Sequence, residues 1–104
     1  MISVAILAVA GMAVISAWAY FIVAPGHKRL PMQWSLSGKV NWTAPRLVAL
    51  SLTPALVGLV MLFVVLLEAD PAERDMALLT LSVIGPIVHL LHIVLIARQT
   101  RLRP

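Results

Sequence analysis

Three long apolar runs, separated by two polar interruptions, organise the 104-residue chain. The first goes from Ile2 to Ala24, the second from Leu47 to Leu67 and the third from Met76 to Ala97, and none contains a Lys, Arg, Asp or Glu. At 1.5 Å per residue a helix over 2–24 is about 34 Å long, enough to cross a hydrocarbon core of about 30 Å with some tilt. The pattern therefore predicts an all-α membrane protein: three transmembrane helices, at about 2–24, 47–67 and 76–97, joined by one structured loop and one short turn. Trp18 and Tyr20 fall near the end of helix 1, where amphipathic rings favour the headgroup level, and Pro25-Gly26 closes that helix. Pro54 lies early in helix 2 and Pro86 near the middle of helix 3. Each removes a backbone hydrogen bond, so each predicts a kink and a freed carbonyl that a neighbouring helix can satisfy.

The loop at 25–46 holds three prolines, two glycines and two tryptophans. The turn at 68–75 is acidic and short, so helices 2 and 3 should form an antiparallel hairpin. Asp70-Pro71 reads as a helix start, with Asp70 as N-cap, Pro71 in the first position and Glu73 in the first turn. A basic tail, 98–104, completes a single membrane domain over 1–104. Helix 1 offers small residues at Ala13 and Ala17, with Gly11 and Ser16 nearby, and helix 2 offers Ser51, Ala55 and Gly58. These two faces are expected to pair, because small residues let backbones approach in lipid.

Composition agrees with the pattern. The chain is 62% hydrophobic and 12% charged, against about 25% charged in a soluble domain. There is no cysteine, which excludes disulfides and thiolate metal sites. A net charge of +4 raises nucleic acid as a partner, but the cations border the apolar runs, as anchors to anionic headgroups do. The expected partners are the bilayer and a protein partner or further copies of the chain, with no nucleic acid. Ala17-Trp18-Ala19 has the small-x-small form of a signal cleavage site, yet no basic region precedes it and the run continues past it, so the first run is expected to stay as a helix.

Charge also orients the chain. Lys28, Arg29, Lys39 and Arg46 in the loop, and Arg98, Arg101 and Arg103 in the tail, are unaccompanied by acids. The turn carries Glu68, Asp70, Glu73 and Asp75 with Arg74 alone. Seven cations against one place the loop and C-terminus in the cytoplasm, and the N-terminus and acidic turn outside.

The loop can be read without reference to other proteins. Pro31 fixes an extended entry, and Gly38 permits a turn with positive φ. Trp34 and Trp42 suit the headgroup level or a cap on the bundle. Asn41 or Thr43 can cap helix 2 ahead of Pro45. This makes the loop a folded lid, or a binding element. The segment Leu30-Pro31-Met32-Gln33-Trp34-Ser35-Leu36-Ser37-Gly38-Lys39-Val40-Asn41-Trp42 also resembles a loop in bacterial membrane proteins related to the SdpI toxin-immunity protein, which has the form Pro-x-His-Trp/Phe-Asn-x-x-Gly-x-x-Asp between two hydrophobic helices. Pro31, Trp34 and Gly38 match, and Gln33, Ser35 and Asn41 stand where the family has histidine, asparagine and aspartate. Pro54 fits the family's proline early in the following helix. The resemblance covers roughly residues 1–65. It implies a bacterial inner-membrane protein that works by binding a partner protein or a membrane-active peptide, in immunity or signalling, through Pro31, Gln33, Trp34, Ser35, Gly38 and Asn41.

His89 and His92, three apart, share a face of helix 3, and an ionisable residue inside a membrane suggests a function by default. A metal ion would need further ligands, with His27 the nearest candidate. A haem would need His27 paired with one of them, since two residues on one helix cannot take opposite axial positions. A proton relay would need more polar groups than one copy of the chain supplies. The structural alternative is that both rings donate to carbonyls freed by the prolines. No metal and no cofactor is therefore expected. Nor does the sequence show a nucleophile–base pair, a phosphate loop or a carboxylate pair, so an enzyme is not expected. Besides the SdpI-like reading, two others stand: an accessory subunit of a larger respiratory or transport complex, and a histidine-dependent transporter or cofactor protein.

Overall fold

The computed structural model describes residues 1–23, 26–34 and 39–102, apart from the side chains of residues 33, 34, 40, 41 and 100–102. The chain forms α1 (Ile2–Ile22), β1 (Arg29–Trp34), β2 (Val40–Pro45), α2 (Arg46–Leu67) and α3 (Pro71–Leu102). All three helices are long and apolar enough to cross a membrane. The acidic connection contains only Glu68, Ala69 and Asp70. Asp70 starts α3 as its sequence suggests: its Oδ1 accepts from the Ala72 N–H at 3.4 Å, and its carbonyl accepts from the Arg74 N–H at 2.9 Å.

The structured loop is a β-hairpin, which corrects the all-α expectation. β1 and β2 pair antiparallel, with Arg29 opposite Pro45, Leu30 opposite Ala44 and Pro31 opposite Thr43, and the register shifts on either side of Gln33. A two-stranded ribbon is marginal alone, and here the bundle supports it. Leu30 and Ala44 are buried with Ala19, Val23, Ala49, Leu50, Ile93 and Ile96 in one apolar cluster. Two smaller corrections follow. α2 rises directly out of β2, so the cap position falls on Pro45 and no side chain caps the helix. Asn41 and Thr43 lie inside the strand, and the Thr43 hydroxyl and carbonyl accept from Arg29 at 3.0 and 2.9 Å. The basic tail is also largely helical, because α3 continues to Leu102. Its 32 residues correspond to about 48 Å, close to the 49 Å long axis of the molecule.

Each helix turns one seam inward. Among the buried and half-buried positions are Val9, Met12, Ser16 and Ala19 on α1, Leu50, Pro54, Val57, Met61 and Val64 on α2, and Leu78, Ser82, Gly85, His89, His92 and Ile96 on α3. The alternating spacing of three and four is that of left-handed helix packing. Helical structure runs through Pro54 and Pro86 without interruption. The close approach at the axis is made by Gly85: a Cβ there would lie 3.0 and 3.2 Å from the Val57 methyls and 3.6 Å from the Met12 sulfur. The expected pairing of small faces is present in an opened form. Ala13, Ala17, Ser51 and Ala55 are exposed, and they line the two walls of a groove between α1 and α2 instead of closing on each other. Gly26, just past α1, has φ of 86° and turns the chain toward β1.

Candidate functional site

The polar groups of the seams meet at one level. Pro54 has no N–H, so the carbonyl four residues back, that of Leu50, loses its helical partner. The Ser16 hydroxyl donates to that carbonyl at 2.6 Å. The same Ser16 oxygen lies 2.8 Å from His89 Nε2. Because a carbonyl only accepts, the Ser16 proton is committed to Leu50, and His89 must donate its Nε2–H to Ser16. One relay, His89 to Ser16 to the Leu50 carbonyl, thus joins α3, α1 and α2. With the Ser16 proton turned to Leu50, this arrangement corresponds to the Nε2–H tautomer of His89. Nδ1 is buried without a hydrogen-bond partner among the described residues, and the Met12 carbonyl lies within interaction range of the ring.

The sequence shows no nucleophile–base pair, yet the fold builds a Ser–His contact from residues 73 apart. That expectation is corrected as to proximity. The direction of the bond is the reverse of an activated serine: the base gives a proton to the hydroxyl instead of taking one.

His92 serves a different end. It is one turn further along α3, and its Nε2–H donates to the Pro31 carbonyl at 3.3 Å, latching the hairpin to α3. Beside this latch, Met32 and Trp42 of the hairpin, Thr53 of α2, and Leu91, His92 and Leu95 of α3 line a side-opening groove of about 370 Å³. Trp42 is half exposed at its rim. Arg46 completes the hairpin end. Its Nε donates to the Tyr20 carbonyl at 2.8 Å, and its Nη2 to the carbonyls of Ala19, Tyr20 and Val23. The Tyr20 and Val23 carbonyls lie at the end of α1, where intrahelical donors run out, and the Ala19 carbonyl also accepts from the Val23 N–H at 2.8 Å. Its guanidinium also sits over the Tyr20 ring, 5.4 Å from the centroid. Finally, the Arg46 N–H donates to the Lys28 carbonyl at 2.9 Å, closing the base of the hairpin.

Of the loop residues singled out from the sequence, Pro31 is buried in β1 and gives its carbonyl to His92. Gln33 and Trp34 lie at the far end of β1, with Trp42 and Val40 opposite them, and Asn41 lies in β2. Ser35 and Gly38 fall outside the described residues. Ser16 and Arg46, which do most of the polar work, were not picked out as site residues. The sequence signals the acceptor, the Leu50 carbonyl that Pro54 frees four residues back, but not its donor Ser16. His89 and His92 share a face as expected but serve separate partners, and among the described residues no three His, Asp or Glu side chains converge as metal ligands would.

No family model, curated protein or solved structure matches the chain. The structure shows a three-helix chain of membrane-spanning length and composition, carrying a docked β-hairpin at one end.

Proposed function

We propose that this chain is a small integral membrane protein of the SdpI-like type that acts by binding a partner protein or a membrane-active peptide, in the manner of an immunity or signalling protein. The observation that carries the reading is the groove beneath the hairpin. It is walled by three elements and opens sideways, and it combines apolar walls with the Thr53 hydroxyl and an exposed Trp42 at the rim. Apolar clefts with a few placed polar groups are the usual form of a binding site, and aromatic rims are enriched at interfaces. At about 370 Å³ it has room for the anchor side chains of an apolar segment, but not for a helix 10–12 Å across. The loop resemblance supports the same reading and offers Gln33, Trp34, Ser35, Gly38 and Asn41 as further contacts. The resemblance implies a bacterial inner-membrane location, and the charge distribution supports an orientation with the hairpin and C-terminus in the cytoplasm.

The test is a challenge of cells with and without the protein by membrane-active peptides, joined to mild-detergent purification with mass spectrometry of what stays bound. Wild-type protein should protect or retain a stoichiometric partner, and Trp42→Ala and Thr53→Phe should each abolish that effect while expression and helicity persist. A partner that stays on through both groove variants, and is lost only when lipid-facing residues change, would replace this reading with that of an accessory subunit.

A further inference from the structure

A second groove, distinct from the one under the hairpin, lies between α1 and α2. It measures about 500 Å³, and Ala13, Ala17, Tyr20, Leu47, Ser51 and Ala55 are among its lining residues. Ser16 also borders it. Both hydroxyls are turned to backbone carbonyls, Ser51 to Leu47 at 2.7 Å and Ser16 to Leu50 at 2.6 Å, so the walls present hydrocarbon. The groove is elongated along the helices, from Val9 at mid-bundle to Phe21 and Leu47 at the hairpin end.

Charge defines that end. Tyr20 lines the groove, and the Arg46 guanidinium sits over its ring. Lys28 is joined to Arg46 through the backbone, and Arg29 lies opposite Pro45, the residue before Arg46. Arg46 thus stands at the hairpin end of an apolar channel, with Lys28 beside it at the base of the hairpin and the Arg29 guanidinium turned to Thr43. No Asp or Glu occurs anywhere from Met1 to Leu67, and all four acids lie at the opposite end of the helices, between Glu68 and Asp75.

From this juxtaposition we infer that the α1–α2 groove is a site for an anionic phospholipid, with one acyl chain lying along the small residues and the phosphate at the hairpin base beside Lys28 and Arg46. A channel of hydrocarbon ending in positive charge at headgroup depth is complementary to such a lipid in both shape and sign. A second copy of the chain fits less well. Two copies in one membrane would share an orientation, and an isologous contact here would set the two cationic clusters at the same level.

The experiment is thermal unfolding and native mass spectrometry of the full chain in neutral detergent, titrated with phosphatidylglycerol or with phosphatidylcholine of identical acyl chains. Phosphatidylglycerol should raise Tm and remain bound, and phosphatidylcholine should bind more weakly by about fivefold for each cation engaged. Lys28→Gln should weaken phosphatidylglycerol about fivefold and leave phosphatidylcholine unchanged. Ala55→Phe should remove binding of both lipids, and Ala17→Leu does the same if Ala55→Phe is not folded. Both positions are exposed, so neither change overfills the interior. Equal affinity for the two lipids, indifference to both groove-filling variants, equal stabilisation by inorganic phosphate, or dimerisation that the lipid does not reverse would each overturn the assignment. Because Trp42 and Thr53 are untouched in these variants, failure here leaves the hairpin-groove reading standing, and the converse holds too.

Discussion

At the scale of single residues, one hydroxyl links all three helices through hydrogen bonds. Ser16→Ala strips the Leu50 carbonyl of its donor and His89 Nε2 of its acceptor. Two buried groups left unanswered cost about 1–3 kcal/mol each where nothing else relaxes, although cross-helix bonds in membranes average nearer 0.6 kcal/mol. A loss of about 1–2 kcal/mol is expected in reversible unfolding from detergent micelles. The direction of the relay gives a sharper test. Pro54→Ala restores an N–H to answer Leu50, so Ser16→Ala/Pro54→Ala should be more stable than Ser16→Ala alone. A double variant that is simply the sum of two losses would show that Ser16 does not stand in for the missing proline bond. The same geometry bears on chemistry: with its proton on Leu50, Ser16 should stay unlabelled by a serine-directed fluorophosphonate, and labelling abolished by His89→Gln would reverse the bond assigned here. The residue types for this relay were visible in the sequence, including the idea that a histidine answers a proline-freed carbonyl. What stayed hidden was the intermediary, because Ser16 on α1 reads equally well as a small packing residue.

Among the elements, α3 makes a close backbone approach at Gly85. A methyl there meets the Val57 side chain at 3.0–3.2 Å, so Gly85→Ala should destabilise the bundle by about 1–3 kcal/mol, as overpacking does. Val57→Ala in the same chain should recover part of that loss by making room. Gly11→Ala is the control, since nothing lies within 4 Å of the added carbon; it should be neutral or slightly stabilising through helix propensity. The hairpin was the element least legible in advance. Pro31 and Gly38 argue for irregular backbone, and the register shift around Gln33 breaks the alternation that marks a strand. Yet Val40, Trp42 and Thr43 are strand formers. The pairing is completed by contacts that no local pattern contains: Leu30 buried against Ile93 and Ile96, and His92 donating to Pro31.

For the whole molecule, the sequence is most informative about what must lie in the membrane and least informative about which faces meet there. Leu7, Val14 and Phe21 on α1 are as apolar as Met12 and Ala19, but the former are exposed and the latter fully buried. In water such a helix would sort its faces by polarity, whereas in lipid the sorting is done by shape, prolines and a few hydrogen bonds. Charge survives as the long-range signal because it acts at the ends. The cations at Lys28, Arg29 and Arg46 flank one end of α1 and α2, and the four acids flank the other, which favours retention of the hairpin end on the cytoplasmic side. The chain has no cysteine, so a single introduced thiol reports its own side without further engineering. Thr43→Cys would disturb the Arg29 contact, so Pro45→Cys, exposed at the end of β2, is the better probe of the hairpin. Ala72→Cys, exposed in the first turn of α3, probes the acidic end. With a membrane-impermeant maleimide on intact bacterial cells, Ala72→Cys should label and Pro45→Cys should label only after the membrane is opened. The reverse pattern would put the hairpin outside, where its groove would face secreted peptides directly and the cationic end would meet the outer leaflet. Labelling of both thiols in intact cells would mean that the charge asymmetry does not fix the orientation of this chain.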